Sequence, residues 1–190
     1  KKVYDNTRAL LEGRPAANVL LYGDAGTGKS STVKACVNHF FDEGLRLIEI
    51  RKNQLLSLSE IMAQISGNPL KFIIFIDDLS FNKNDDCFSM LKAALEGSAS
   101  ARADNAVIYA TSNRRHIVKE TFSGRSDADD VHHNDTVQEL MSLSDRFGMT
   151  VYFEKPNKAL YLDIVRQLAQ KNGIPVDSAL DIKAEAFLLN

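Results

Sequence analysis

The sequence predicts an α/β fold: a five-stranded, mostly parallel sheet with helices on both faces, followed by a small α-helical unit. Three observations predict it. Short apolar runs alternate with helix-like segments up to about residue 153, the pattern of strand–helix–strand units. Phe72–Ile76 is apolar at every position, as a strand buried on both faces of a parallel sheet must be. After Pro156 the alternation stops and helices alone follow. The chain therefore divides into a domain over residues 1–155 and a second unit over residues 156–190.

The elements follow in order. Residues 3–12 form an amphipathic helix closed by Gly13 and Pro15. Residues 18–22 are the first strand. A helix from about residue 28 to residue 41 ends near Gly44, and residues 45–50 are the second strand, with Leu45, Leu47, Ile48 and Ile50 apolar. Residues 55–66 are helical and stop at Gly67-Asn68-Pro69. Residues 72–76 are the third strand. Residues 84–96 form a helix with Phe88, Leu91, Ala94 and Leu95 on one side, and residues 107–111 are the fourth strand. Residues 119–135 are polar and read as a loop, residues 136–145 as a helix, and residues 149–153 as the fifth strand. Residues 157–172 form a helix stopped by Gly173 and Pro175, and Asp177 or Ser178 caps a last one.

Composition narrows the function classes. The chain has 190 residues, 44% of them apolar, enough for a sizeable core. A net charge of −2 argues against a dominant nucleic-acid-binding surface, though not against a local patch. The two cysteines, Cys36 and Cys87, lack metal-ligand spacing and are too few for a disulfide framework, so they read as reduced thiols of a cytoplasmic protein. No apolar run approaches the roughly 18 residues of a membrane span. The chain opens Lys1-Lys2-Val3-Tyr4 without Met and reads as an excised piece.

The chemistry starts at Gly23-Asp24-Ala25-Gly26-Thr27-Gly28-Lys29-Ser30, which matches G-x-x-x-x-G-K-[ST] between a strand and a helix. That placement is what a phosphate-binding loop needs. The glycines let backbone N–H groups turn toward anionic oxygen, and the following helix adds the positive end of its dipole. Residues Asp24, Ala25, Gly26, Thr27, Gly28, Lys29, Ser30 and Ser31 are the candidate nucleotide cradle. Lys29 supplies a mobile positive charge and the Ser30 hydroxyl is the candidate Mg²⁺ ligand. Asp24 sits at a variable loop position and faces solvent. An apolar strand ending in Asp77-Asp78 is the usual companion of such a loop, with Asp77 as the second Mg²⁺ ligand.

Further on come Ala110-Thr111-Ser112-Asn113-Arg114-Arg115-His116 and Leu143-Ser144-Asp145-Arg146-Phe147-Gly148. With these the chain resembles the AAA+ ATPases over nearly its whole length. The wording of the motifs is similar to that of a bacterial AAA+ family of unassigned function. The resemblance implies a nucleotide-binding α/β domain with a partial helical lid, binding ATP or ADP with Mg²⁺. It implies that Asn113 is the sensor that orients the attacking water, the alternative being a turn-forming Asn. It implies that Arg146 is an arginine finger for a neighbour's ATP, worth roughly 10³–10⁵ in rate, the alternative being a helix-terminal Arg that complements the dipole. Arg114 and Arg115 sense phosphate, face a partner or are simply solvated.

Asp78 departs from the family, where Glu is usual as the base. Its stem is about 1.5 Å shorter, and misplacement near 1 Å can cost about 10²-fold in rate. Asp-Asp here, and Arg-Phe-Gly before the fifth strand, also resemble the replication-initiator and helicase-loader branch. Slow hydrolysis is the expectation. Arg166, the only arginine after Arg146, comes early for a sensor-2 role. Tyr161, Ile164 and Val165 are candidate lid contacts to the base, and residues 3–17 a candidate wall of the adenine pocket. His132 and His133, among Asp129, Asp130 and Asp135, have no fixed metal spacing and read as a solvated loop. Residues 51–70 hold no aromatic, which weakens an unfoldase reading.

The sequence thus points to an AAA+ ATPase acting as a homo-oligomer, a hexameric ring or a filament, on DNA or protein and without a membrane. Asp78, Asn113, Arg146 and Lys29 are the candidate catalytic residues. The alternative is a nucleotide-regulated DNA- or protein-binding switch that hydrolyses little. A small-molecule kinase fits poorly, because it would leave Arg146 and the helical lid without a purpose.

Overall fold

The apolar strands bury both of their faces, and each face builds its own core. A computed structural model of the chain describes residues 1–79, 86–96, 103–113 and 145–188. The strands are β1 (Val19–Gly23), β2 (Leu45–Ile50), β3 (Lys71–Ile76), β4 (Ala106–Ser112) and β5 (Met149–Phe153). They form one sheet in the order β2-β3-β4-β1-β5, with every pairing parallel. All five lie where the sequence puts them, within one residue at each end.

Successive strand residues point to opposite faces, and the burial follows that period. Val19, Leu21, Ile73, Phe75 and Val107 share one cluster with Val3 and Leu10 of α1 (Lys2–Leu11) and Val33 and Val37 of α2 (Lys29–His39). Leu20, Ile74, Ile76 and Ile108 share the other with Leu58, Met62 and Ile65 of α3 (Leu58–Ile65) and Leu91 of α4 (Asp86–Glu96). Each such aliphatic side chain contributes about 1.5–3 kcal/mol on burial. A slip of one residue in any central strand would exchange both sets at once, so register is strongly fixed.

Polar bonds pin α1 to this sheet. Asn6 donates to the Ala17 carbonyl at 2.9 Å and to the Tyr109 hydroxyl at 3.0 Å, and the Ala17 N–H donates back to Asn6 Oδ1 at 2.9 Å. Thr7 shares a further bond with the Tyr109 hydroxyl at 2.9 Å. These bonds set the entry of the chain into β1, and with it the start of the glycine-rich loop.

Two helices differ from expectation. The segment expected to be one helix over residues 55–66 is a 3-10 turn, Lys52–Ser57, followed by α3. Leu55 and Leu58 are both buried, and a 3-10 geometry brings positions three apart onto one face. The helix after the loop ends at His39 rather than near residue 41. Phe40 caps it with its side chain fully buried, and the chain turns through Gly44 into β2. The expected loop at 119–135 and all of the helix expected at 136–145 but Asp145, which lies in a turn, fall outside the described residues, as do Arg114, Arg115, His132 and His133.

The chain separates into two compact units, Lys1–Phe153 and Glu154–Asn190. The second holds α5 (Lys158–Lys171) and α6 (Ser178–Leu188). Asn157 caps α5 by accepting from the Leu160 N–H at 2.9 Å. Asp177, not Ser178, caps α6, accepting from the Leu180 N–H at 2.9 Å. Arg166 forms a two-pronged pair with Asp181, at 3.0 and 2.7 Å, that ties α5 to α6. Tyr161 and Val165 are half-buried, while Ile164 is exposed. Among the described residues no helix is long and apolar enough to cross a membrane.

Candidate functional site

Because the strands are parallel, β1, β3 and β4 bring their C-terminal ends to one edge of the sheet. The glycine-rich loop leaves β1 there, Asp77-Asp78 leaves β3, and Asn113 follows β4. The loop can form because its three glycines, Gly23, Gly26 and Gly28, all adopt positive φ. Gly28, at φ 90°, sits directly before α2 and directs that helix's first N–H groups at the cleft. Gly23, at φ 135°, lies against β5, where a Cβ would stand 2.0 Å from the Phe153 carbonyl oxygen. Gly23→Ala therefore strains the backbone and drives β1 from β5. The expected loss is about 4 kcal/mol or more, measured as a shift of the urea midpoint. An unchanged midpoint would show that the two strands can part at no cost.

Lys29 opens α2 and is buried, at 5% exposure. Its Nζ donates to the carbonyls of Gly23 at 3.1 Å and Asp24 at 2.6 Å. Burial lowers its pKa from the ordinary lysine value, against the opposing pull of Asp24, Asp78 and Asp77. The Asp24 carbonyl also accepts from Thr27 Oγ1 at 2.8 Å. Asp24, expected to face solvent, is half-buried. It shapes the loop through its main chain and does not line the cleft.

Ser30 Oγ donates to Asp77 Oδ1 at 2.7 Å, and Thr111 Oγ1 donates to the same oxygen at 2.6 Å. Burial would raise the Asp77 pKa. The bonds from Thr111, Ser30 and the Asp78 N–H, together with the charge of Lys34, outweigh burial and hold it below the usual carboxylate value. Next in the chain, Asp78 has φ 53°, the only non-glycine residue at positive φ among those described. Its Oδ1 accepts from Asn113 Nδ2 at 2.8 Å.

These groups enclose a cleft of about 350 Å³, lined by residues 25–31 with Asp77, Asp78, Thr111 and Asn113. That volume falls within the range of small-molecule sites. A larger cavity of about 510 Å³ lies at the opposite end of β1 and β4, beside Asn18, Met62 and Ala106; it holds none of the expected catalytic, phosphate or metal residues, though Leu10 and residues 13–16, from the segment expected to wall the adenine pocket, line it. Arg146 is half-buried in the turn before β5 and does not line the cleft. Thr111 lines the cleft without having been expected to. The signal was a hydroxyl directly after the buried run Val107–Ala110, beside the strand that leads to Asp77.

A hydroxyl and a carboxylate, both hard oxygen donors, meet at 2.7 Å beside an anion-binding loop. This set fits Mg²⁺, which takes one or two protein ligands and completes its shell with water and phosphate oxygens. Among the described residues no cluster of three or more His, Cys, Asp or Glu could hold a metal by itself.

A family model described as "Protein of unknown function (DUF815)" matches residues 1–190. The chain belongs to this family. No curated protein matches it. Among solved structures, the DUF815 chain is similar to the Thermotoga maritima RuvB Holliday junction branch migration motor, at 14% identity and a TM-score of 0.60, covering 96% of this chain and 54% of RuvB. Two point variants of the same RuvB match it similarly. One has 15% identity and a TM-score of 0.62, with coverage of 97% and 54%. The other has 16% identity and a TM-score of 0.61, with coverage of 94% and 52%. The DUF815 chain spans about half the length of these structures. Its fold is that of the AAA+ P-loop proteins, as the resemblance of the motifs implied.

Proposed function

We propose that this DUF815 chain is an ATP-binding and ATP-hydrolysing AAA+ module that works as an oligomer to remodel or load a macromolecule. One observation carries the reading: Lys29 and Ser30, Asp77 and Asp78, and Asn113, from three separate stretches of sequence, converge on one cleft. Lys29 and the N–H groups of residues 25–31 bind the phosphates. Ser30 and Asp77 hold Mg²⁺, which when bound neutralises the charge that develops on the β- and γ-phosphate oxygens. Asp78 takes the proton of the attacking water, and Asn113 orients that water with its amide. Arg146 serves the cleft of the neighbouring subunit in a ring, hexameric or open as a filament. Residues 1–155 are the nucleotide-binding domain and residues 156–190 part of a lid. Arg166 is engaged by Asp181, which supports giving it no role at the phosphates. The setting is cytoplasmic. RuvB is described as a branch migration motor acting on Holliday junctions, so DNA is the first macromolecule to test, with protein substrates next.

The test is phosphate release from Mg-ATP by the full-length protein, with and without DNA, under single-turnover conditions. Release of inorganic phosphate with a dependence on protein concentration is the expected result. A phosphorylated acceptor would make the chain a kinase, and absence of nucleotide binding would sink the reading.

A second reading has its own support. Asp78 is shorter than the usual Glu, and Asn113 already occupies its Oδ1. This favours a nucleotide-regulated switch that hydrolyses slowly and changes partners with nucleotide state. Turnover of about ten per second or more, the median for enzymes, would exclude it.

A further inference from the structure

We propose that Thr111 is a positioning residue that fixes Asp77 and Asp78 relative to each other through its hydroxyl. The inference rests on the ATPase reading above and adds a residue to it.

A threonine hydroxyl has one proton to donate and lone pairs to accept with. Here both capacities are used on adjacent acidic residues. Thr111 Oγ1 donates to Asp77 Oδ1 at 2.6 Å and accepts from the Asp78 N–H at 2.9 Å. Its main-chain carbonyl accepts from the Leu79 N–H at 2.6 Å. One residue of β4 therefore holds three consecutive residues as they leave β3. Thr111 is 2% exposed, so its own hydroxyl is shielded, and its branched Cβ restricts rotation about χ1.

The chain needs such a hold at this point. Asp78 is at φ 53°, a conformation that costs a non-glycine residue of order 1–3 kcal/mol and persists only where surrounding bonds enforce it. The turn is what separates the two carboxylates. It leaves Asp77 against Ser30 and sends Asp78 toward Asn113. Both hydroxyls reach Asp77 at the same oxygen, Oδ1. The Thr111 hydroxyl thus sets which carboxylate oxygen is presented to the cleft. Valine has the same shape but can neither donate to Asp77 nor accept from Asp78. With it, the Asp78 N–H loses its bond to Thr111 and the Asp77 carboxylate loses its Thr111 donor, keeping those from Ser30 and the Asp78 N–H.

The experiment uses the full-length protein and a fluorescent ATP analogue, titrated with and without Mg²⁺, alongside single-turnover hydrolysis and thermal unfolding. For Thr111→Val, Mg²⁺-free binding stays within about threefold of wild type. The strengthening of binding by Mg²⁺ falls at least about tenfold, and hydrolysis falls by about 10²-fold, the scale of a misplacement near 1 Å. Thr111→Ser, which keeps both bonds, recovers Mg²⁺-dependent binding to within about threefold. The proposal is overturned if Thr111→Val keeps its Mg²⁺ dependence, if Thr111→Ser behaves like Thr111→Val, or if Thr111→Val loses Mg²⁺-free binding or its thermal transition, since Thr111 is then only a core residue. A wild-type protein that binds no analogue overturns the ATPase reading itself, which is a different result from any of these.

Discussion

Arg146→Ala lowers ATP hydrolysis by roughly 10³–10⁵-fold, the span measured where an arginine finger is supplied in trans, and leaves ATP binding by the same chain unchanged. β1 and β5 are parallel neighbours in register from Val19↔Met149 to Gly23↔Phe153. The phosphate-binding loop begins at the Gly23 end, whereas Arg146 precedes the Met149 end. At about 3.3 Å per residue, the five-residue strand alone puts some 16 Å between them. The side chain therefore serves its own chain's phosphates poorly, and it does not line that cleft. Phe147, 4% exposed, anchors the turn in the core and holds Arg146 at this pole of the sheet. A subunit stacked head to tail would bring its loop to that pole. Mixing decides the matter: Arg146→Ala and Lys29→Ala are each inactive alone, and combined they regain part of the activity, because some clefts pair an intact loop with an intact arginine. No recovery at any mixing ratio would rule out a shared site and return Arg146 to the role of a residue that complements a helix end.

Much of this site was legible because its parts are local motifs with a fixed physical meaning. The loop at residues 23–30 needs a strand before it and a helix after it, and the sequence supplies both. An apolar strand ending in Asp77 implies a buried parallel strand, and parallel strands must end on the same edge as the loop. What local pattern cannot convey is pairing across strands. Thr111 looks like any β-branched strand residue until Phe72↔Ala106 sets the register that carries it to Asp77. The 3-10 turn before α3 was hidden for a related reason, since its geometry follows from where Leu55 and Leu58 meet the core. Asp24 contributes its carbonyl to the loop, which any residue type supplies, so its identity in the sequence carries no signal of that role. The choice between Asp177 and Ser178 as cap was open because both residues can cap, and only the bond to Leu180 separates them.

Asp78→Asn abolishes hydrolysis, by roughly 10²–10⁴-fold if Asp78 is the general base, and keeps ATP affinity within about threefold. The substitution is unusually clean at this position. Asn tolerates a left-handed backbone nearly as well as Asp does, so φ 53° is preserved. Its side-chain oxygen still accepts from Asn113 Nδ2, and its N–H still donates to Thr111. Only the basicity of the group is removed. Asp78→Ala removes the same base but also the Asn113 bond, and it places Ala where a short polar side chain eases the strain. It therefore lowers the thermal midpoint where Asp78→Asn does not. The comparison also bears on rate in the wild type. The Asn113 amide holds Asp78 by one oxygen, Oδ1, at 2.8 Å, so the same residue that guides the water also restrains the base. Asn113→Ala then separates the two effects of Asn113: it loses water orientation and hydrolysis together, while a gain in rate would mean that Asn113 restrains the base more than it guides the water. If Asp78→Asn still hydrolyses at the wild-type rate in a single turnover, another group activates the water, and Asp78 is left with its place in the turn alone.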